Sequence, residues 1–386
     1  MKNLMKYALV LLSVLWSQWA IGQHQQAVQQ SAEYLKQLKQ KLHLPGLSVC
    51  VAVKGKIVWQ QGWGYANIAG KKPVTPQTQF RAGSISKSMT SLALGKLVEQ
   101  GKLNLDEDVR KYVAYFPKKK HPFTVRQLAG HLSGIPHYEA QASTVKKHYT
   151  SVKEAMEIFK DRPLLFEPGT KYQYSSYGYV LVSGVVEETA KKPYLDYMKK
   201  QIFTPLGMSS TMPDDITQTI PNRATLYFIL PEDYKKRYPA QVIQQAKIHE
   251  VHNAKVATIP DAYNEDISYK WAGGGFLSTP TDLVNMILNH TKVIKPNTFK
   301  MLTTPQTFKN GKKTGRRYGV GWRYEVQKED KRPMIHHGGA STGGRSFLLY
   351  LPNEQIVVAM ASNALARYAQ NEAYQVAKFF INATQK

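Results

Sequence analysis

Cysteine is almost absent: Cys50 is the only one in 386 residues. No intrachain disulfide can form, so a chain folded in an oxidising compartment must rely on its core alone. Cys50 lies inside the apolar run Leu47–Val53, a β-strand setting that makes it a small buried hydrophobe rather than a nucleophile. Long apolar runs are scarce as well. Beyond the first two dozen residues nothing is long and apolar enough to span a bilayer. Acidic residues are few, 27 against 52 lysines and arginines, for a formal charge of +25. That excess raises the question of nucleic acid. The basic residues, however, are scattered in small groups (Lys118 to Lys120, Lys191-Lys192, Arg316-Arg317), and no nucleic-acid-binding motif accompanies them. They read as a solvated basic surface with loose attraction to an anionic cell envelope. Metal-ligand spacing is also missing. His249-Glu250-Val251-His252 is one residue short of His-Glu-x-x-His, and adjacent His336 and His337 on a strand point to opposite faces. Neither a metal nor a cofactor is expected. No fixed-period repeat, heptad array or low-complexity tract is present.

What is there begins with an export signal. Lys2 and Lys6 supply a positive start, Tyr7 to Trp16 a short apolar run, and Ala20-Ile21-Gly22 small residues before a cut at Gln23. Residues 1–22 are therefore expected to be removed and the mature chain to be periplasmic or secreted. A retained anchor is the other reading of the segment. No cysteine follows the apolar run, so a lipid-anchored maturation site is not expected.

Residues 26 to 42 read as a surface helix ending at Pro45-Gly46. Leu47–Val53 and Ile57–Trp63 flank Lys54-Gly55-Lys56 as a hairpin. Apolar residues recur at helical spacing from Ile85 to Val98, up to Gly101. From about 106 to 269 helical stretches (Val152–Lys160, Tyr177–Thr189), loops and tyrosines dominate, and 210 to 268 resists assignment. After 270 strand character returns at Tyr318–Glu325, Met334–His337, Ser346–Leu351 and Gln355–Ser362, followed by a helix over Asn371–Asn382. The pattern predicts one α+β catalytic domain over 23–386. Residues 23–105 and 270–386 build an antiparallel sheet flanked by helices, and 106–269 form an inserted, mostly helical lobe. Clefts between such lobes are common homes for active sites.

Gly83-Ser84-Ile85-Ser86-Lys87 is the stretch with the most chemistry. One helical turn stacks Lys87 beside Ser84. A hydroxyl becomes a useful nucleophile when a neighbouring base takes its proton, and a lysine is that base when burial or positive charge lowers its pKa. Alone, Ser-x-x-Lys is also what a helix cap followed by a solvated lysine looks like. Two further segments give it context. Tyr174-Ser175-Ser176 follows the turn Glu167-Pro168-Gly169, and a tyrosine there can pass protons if a nearby ammonium lowers its pKa. Tyr172, Tyr177 and Tyr179 read as packing residues. Met334-Ile335-His336-His337-Gly338-Gly339 begins apolar and ends in glycines, so it can present His336 to a cleft and lay backbone against a substrate.

In this order the three segments resemble the motifs of serine β-lactamases and penicillin-binding proteins, a group that carries Ser-x-x-Lys. Phe80-Arg81-Ala82-Gly83, His131-Leu132-Ser133-Gly134-Ile135-Pro136-His137-Tyr138 and Ala272-Gly273-Gly274-Gly275 resemble the class C β-lactamase-related hydrolases. The resemblance is nearest to the branch of the mitochondrial β-lactamase-like serine protease and its bacterial relatives, and it covers residues 30 to 380. It implies a two-lobed β-lactamase/transpeptidase-like fold and acyl transfer through a serine ester. Ser84 would be the nucleophile, with Lys87 and Tyr174 moving protons. Ser176, His336 and Gly338 would orient substrate, and the backbone N–H groups of Ser84 and Gly339 would bind the oxyanion. The chain departs from the family twice. Ser176 stands where the family usually has asparagine, and His336-His337-Gly338 stands where true β-lactamases often have Lys-Thr-Gly. Lys313-Thr314-Gly315 matches that motif literally, but in a polar, loop-like setting. The departures favour a peptidase- or esterase-like hydrolase of peptide, ester or amide carbonyls, with small peptides, esters or β-lactam-like compounds as substrates. A penicillin-binding or muropeptide-sensing protein with little turnover, and a true β-lactamase, are the alternatives.

Overall fold

The computed structural model describes residues 24–138, 147–229, 246–258, 266–366 and 370–384. The expected signal segment lies outside the described residues. A seven-stranded antiparallel sheet forms the spine: β1 (Gly46–Val53), β2 (Lys56–Asn67), β3 (Lys72–Pro73), β4 (Arg323–Val326), β5 (Pro333–Ser341), β6 (Gly344–Leu351) and β7 (Ile356–Ser362), in the order β4-β5-β6-β7-β1-β2-β3. The two ends of the chain thus build one sheet, with β1 paired to β7 from Leu47↔Ser362 to Val53↔Ile356. The β1–β2 hairpin turns on Lys54-Gly55, both at positive φ (48° and 81°). That is what a two-residue turn needs to match the strand twist, and glycine supplies the larger angle without a Cβ penalty.

Both faces of the sheet are covered, so β1 and β7 are buried at every position. On one face Leu47, Val49, Val51, Phe347, Leu349 and Val358 pack against α1 (residues 24–41) and α4 (Gln370–Thr384). On the other, Cys50, Ala52, Leu348, Val357 and Ala359 join a larger core around α2 (Ser86–Glu99) and α3 (Ser176–Ala190). Cys50 is buried, and burial pushes its thiol up to about 12, which makes it inert.

Helix α2 runs through this core with residues 86–95 all buried. Helix α3 begins where Ser175 caps it, accepting the Gly178 N–H at 2.8 Å while its hydroxyl donates to Pro136 O at 2.7 Å. The cap brings the tyrosine-serine segment to the end of a helix that packs on α2.

The stretch from 210 to 268, unassigned on sequence and grouped with the helical lobe, contributes short strands to the sheet side of the molecule. Met212–Pro213 pairs with Phe276–Ser278, which also pairs with Phe80–Arg81. Tyr227–Ile229, Ala254–Thr258 and Ile248–Val251 form a second three-stranded sheet. Tyr227, Ile229 and Val256 bury themselves with Leu47 and Val49, so hydrophobic burial draws these residues to the sheet. The helix expected over Val152–Lys160 ends at Met156, and the strand expected from Tyr318 begins at Arg323.

Candidate active site

Ser84 sits in a single 3-10 turn, Gly83–Ile85, that leads into α2. Gly83 has φ 51°, and a Cβ there would lie 2.7 Å from Ala340 N. Only glycine lets this turn approach β5 so closely. Just before it, Arg81 is fully buried and donates to Asp214 Oδ2 at 2.6 Å. Arg223 reaches the same carboxylate oxygen at 3.2 Å. Burial alone would raise the Asp214 carboxyl, but Arg81 and Arg223 hold it below its usual value.

Lys87 follows Ser84 by one turn, as the spacing predicts. Its Nζ lies 3.2 Å from Ser84 Oγ, 3.1 Å from Ser176 Oγ and 2.5 Å from Gly273 O. These partners are two hydroxyls and a carbonyl. Burial, then the charges of Lys270 and Arg323, hold the amine well below its usual pKa. A deprotonated amine would have two N–H groups for Gly273 O and Ser176 Oγ and a lone pair left for the Ser84 hydroxyl.

Tyr174 lies with its ring 4.9 Å from Lys87 Nζ, and the nearby Ser84 and Ser176 hydroxyls pull its phenol pKa down. Sequence reasoning looked for an ammonium that lowers its pKa. Burial dominates instead and raises it, so the phenol keeps its proton. Tyr172, Tyr177 and Tyr179 are packing residues; the Tyr179 hydroxyl donates to Ala129 O at 2.9 Å.

Two expectations for β5 are corrected by its register. His336 does not face the cleft. Its ring stacks on Phe347 at 5.5 Å, and Nε2 lies 3.7 Å from Glu325, on the face covered by α1 and α4. The His336 imidazole holds the Glu325 carboxyl down at about 2. His337 is the histidine on the catalytic face. Its Nδ1–H donates to Gly338 O at 2.8 Å, and its Nε2 accepts from the Tyr318 hydroxyl at 2.9 Å. Burial, followed by Arg323 and Lys87, holds it well below the usual histidine range.

The second correction concerns the oxyanion donor. The β5–β6 hairpin closes on Ser341↔Gly344 with a two-residue loop, which makes that pair the hydrogen-bonded one. Alternation then sends the N–H groups of Gly339 and His337 into the ladder with β6 and those of Ala340 and Gly338 outward. Strand β4 covers β5 only as far as His336, so the outward edge at Gly338 and Ala340 is open, and Ala340 N stands next to the Gly83–Ser84 turn. Ala340, not Gly339, turns its N–H to the open edge beside Ser84. Lys313-Thr314-Gly315 stays outside the site, in the loop where Lys313 bridges to Thr307.

Sequence reasoning missed several members. Lys270 is buried, with Nζ 5.0 Å from the Tyr269 ring and 5.3 Å from that of Tyr138. Arg323 lies over Tyr318 at 5.5 Å. His131 and His137 back the Tyr174 segment. Both histidines stood in a segment noted for its resemblance, but nothing in their spacing announced a contact 39 to 44 residues away.

Comparison with known proteins agrees with this architecture. A family model described as Beta-lactamase matches residues 31–379. The human protein named serine beta-lactamase-like protein LACTB, mitochondrial, is 32% identical over 422 aligned positions, covering 85% of this chain and 72% of that protein. Among solved structures, the octameric penicillin-binding protein homologue from Pyrococcus abyssi superposes with a TM-score of 0.72 at 25% identity, over 91% of this chain and 77% of that one. The D-amino acid amidase from Ochrobactrum anthropi SV3 shares the fold, with a TM-score of 0.71 at 23% identity over 89% of this chain and 96% of the amidase. From residue 31 to residue 379, then, sheet, helices and cleft are those of one lineage, and the chain belongs to the beta-lactamase family.

Proposed function

We propose that the chain is an exported serine hydrolase that cleaves peptide, amide or ester carbonyls through a covalent acyl-enzyme. The observation that carries this reading is Lys87, a fully buried amine within 3.2 Å of Ser84 Oγ whose hydrogen-bond partners are hydroxyls and a carbonyl. A lysine placed among cations and out of water is a base at neutral pH.

In this reading Ser84 Oγ adds to the substrate carbonyl as its proton passes to Lys87. The N–H groups of Ser84 and Ala340 receive the oxyanion. Tyr174, a neutral phenol between Ser84 and Ser176, hands a proton to the leaving group and is reprotonated from Lys87. Water then attacks the ester, gives its proton back through Tyr174 and Lys87, and releases the acid with Ser84 restored. Ser176 accepts from Lys87, and the open edge at Gly338 and Ala340 offers main-chain donors and acceptors to an extended substrate. A penicillin-binding protein homologue and a D-amino acid amidase among the structural neighbours support amide carbonyls as the substrate class. Export rests on the basic and apolar pattern of residues 1–22.

Activity-based labelling of the purified protein with a fluorophosphonate tests the reading. Wild type is expected to be labelled and Ser84→Ala not at all; equal labelling of the two sinks the assignment. Competition by D-amino acid amides, peptides, simple esters and β-lactams then ranks the substrate classes.

A further inference from the structure

Two histidines hold the Tyr174–Ser176 segment from behind and take no part in the proton transfers above. The Ser175 N–H donates to His131 Nδ1 at 3.2 Å, and the Ser176 N–H donates to His137 Nδ1 at 3.1 Å. Consecutive main-chain donors thus end on two imidazoles supplied by one loop. The same rings bracket Tyr174, with centroids 4.2 Å and 5.6 Å from the phenol ring, the second edge-on. Each bond needs a bare Nδ1, because an imidazolium has no lone pair to offer.

The surroundings keep both rings neutral. Burial, and then Lys87, His337, Arg323 and His137, hold His131 well below its usual range. Burial, and then Lys87 and Lys270, bring His137 down to about 4. His137 is otherwise faced by Tyr138, stacked at 4.8 Å, and by Tyr174. His131 adopts φ 64°, a backbone angle that costs free energy in a non-glycine residue and persists where surrounding contacts over-determine it.

Ser176 explains why such a hold is needed. It stands where the family usually carries asparagine, and a serine hydroxyl has a shorter reach. It meets Lys87 at 3.1 Å only because the main chain at 176 lies close to the amine. The His137 bond acts on that very main-chain N–H. We propose that His131 and His137 are positioning residues. By accepting the Ser175 and Ser176 N–H groups, they set the approach of the Ser176 hydroxyl to Lys87 and of the Tyr174 phenol to Ser84, and so compensate for the short side chain at 176. The inference rests on the acyl-enzyme reading of Ser84.

The test measures the rate of Ser84 labelling by a fluorophosphonate, together with Tm, for wild type, His137→Asn and His137→Leu. Asparagine places a carbonyl oxygen near the position of Nδ1 and accepts the same N–H; leucine cannot. Leucine leaves the Ser176 N–H without its acceptor, so the leucine variant is expected to label about tenfold more slowly or worse. The asparagine variant is expected to stay within about threefold of wild type, and its Tm within about 3 °C. A leucine variant as fast as wild type overturns the proposal, and so does an asparagine variant as slow as the leucine one. Should the leucine variant fail to fold, His137→Gln takes its place. Its acceptor sits one methylene too far out, so it is expected to label more slowly than asparagine, and equal rates for the two overturn the proposal. Wild type that is not labelled defeats the Ser84 reading and this inference together. Wild type that is labelled, with variants that do not differ, defeats this inference alone.

Discussion

Two buried basic side chains flank Ser84, and they live in opposite electrostatic worlds. Arg81, three residues before Ser84, is fully buried and shares the Asp214 carboxylate with Arg223. Lys87, three residues after, is as deeply buried, but meets hydroxyls, a carbonyl and the fields of Lys270 and Arg323. A buried charge persists when it is paired; an unpaired one shifts its pKa and neutralises instead. Arg81, which cannot give up its proton, is given an acid and anchors the short strand Phe80–Arg81 that leads into the Ser84 turn. Lys87, which can, is denied one, and its pKa falls instead. The same burial locks a charge in place on one side of Ser84 and drives one out on the other.

The comparison breaks first at Lys87. Lys87→Met is expected to slow fluorophosphonate labelling of Ser84 by about 10²–10⁴-fold, the range of a lost general base. Its Tm is expected to hold or rise, because an apolar side chain of similar volume relieves the desolvation of a buried amine. A large fall in Tm would make Lys87 a structural residue and erase the contrast.

Asp214→Ala is expected to do the reverse, costing about 3–5 kcal/mol in denaturant unfolding by stranding two arginines. Its linkage also has a definite sign. The folded carboxyl is held below its unfolded value, so its contribution is complete above that unfolded value, about pH 3.9, and is lost as pH falls towards the folded one. Wild type is expected to lose stability on that acid side more steeply than Asp214→Asn, as read from urea midpoints across pH.

Lys270→Met gives the smallest and most selective effect. It removes the strongest of the charges that, after burial, depress the Lys87 pKa. The Lys87 pKa then rises, and a higher pH is needed to free the amine. The acid limb of the labelling rate is expected to move to higher pH in the variant, with the plateau rate reached later. A limb that does not move would remove Lys270 from the tuning of the base.

Much of this arrangement can be read from the chain, for identifiable reasons. Helix α2 announces itself because its apolar spacing runs unbroken from Ile85 to the Gly101 stop. Ser84 and Lys87 follow because their contact is local, one turn apart. The Lys54-Gly55 turn is legible because glycine marks positive φ. Strand β5 is different. It is buried on both faces around 334–337, so no alternation of polar and apolar residues tells which of two adjacent histidines faces the cleft, and a one-residue error in parity exchanges His336 for His337. The same parity misplaces the oxyanion donor by one residue, from Ala340 to Gly339. Lys270, His131 and His137 escape notice because their partners are far along the chain; Lys87 feels Lys270 across 183 positions. The small sheet of Tyr227–Ile229, Ile248–Val251 and Ala254–Thr258 is missed because its strands are only 3 to 5 residues long.

The burial of α2 has a consequence for how the protein ages and is inactivated. Local openings start where few apolar contacts resist them, and the amides of a core helix exchange with solvent only when the whole domain opens. With residues 86–95 all buried, the amides of α2 belong to the slowest-exchanging class in the molecule. Lys87 is therefore carried on the part of the chain that opens last, while Ser84 sits one turn ahead of it.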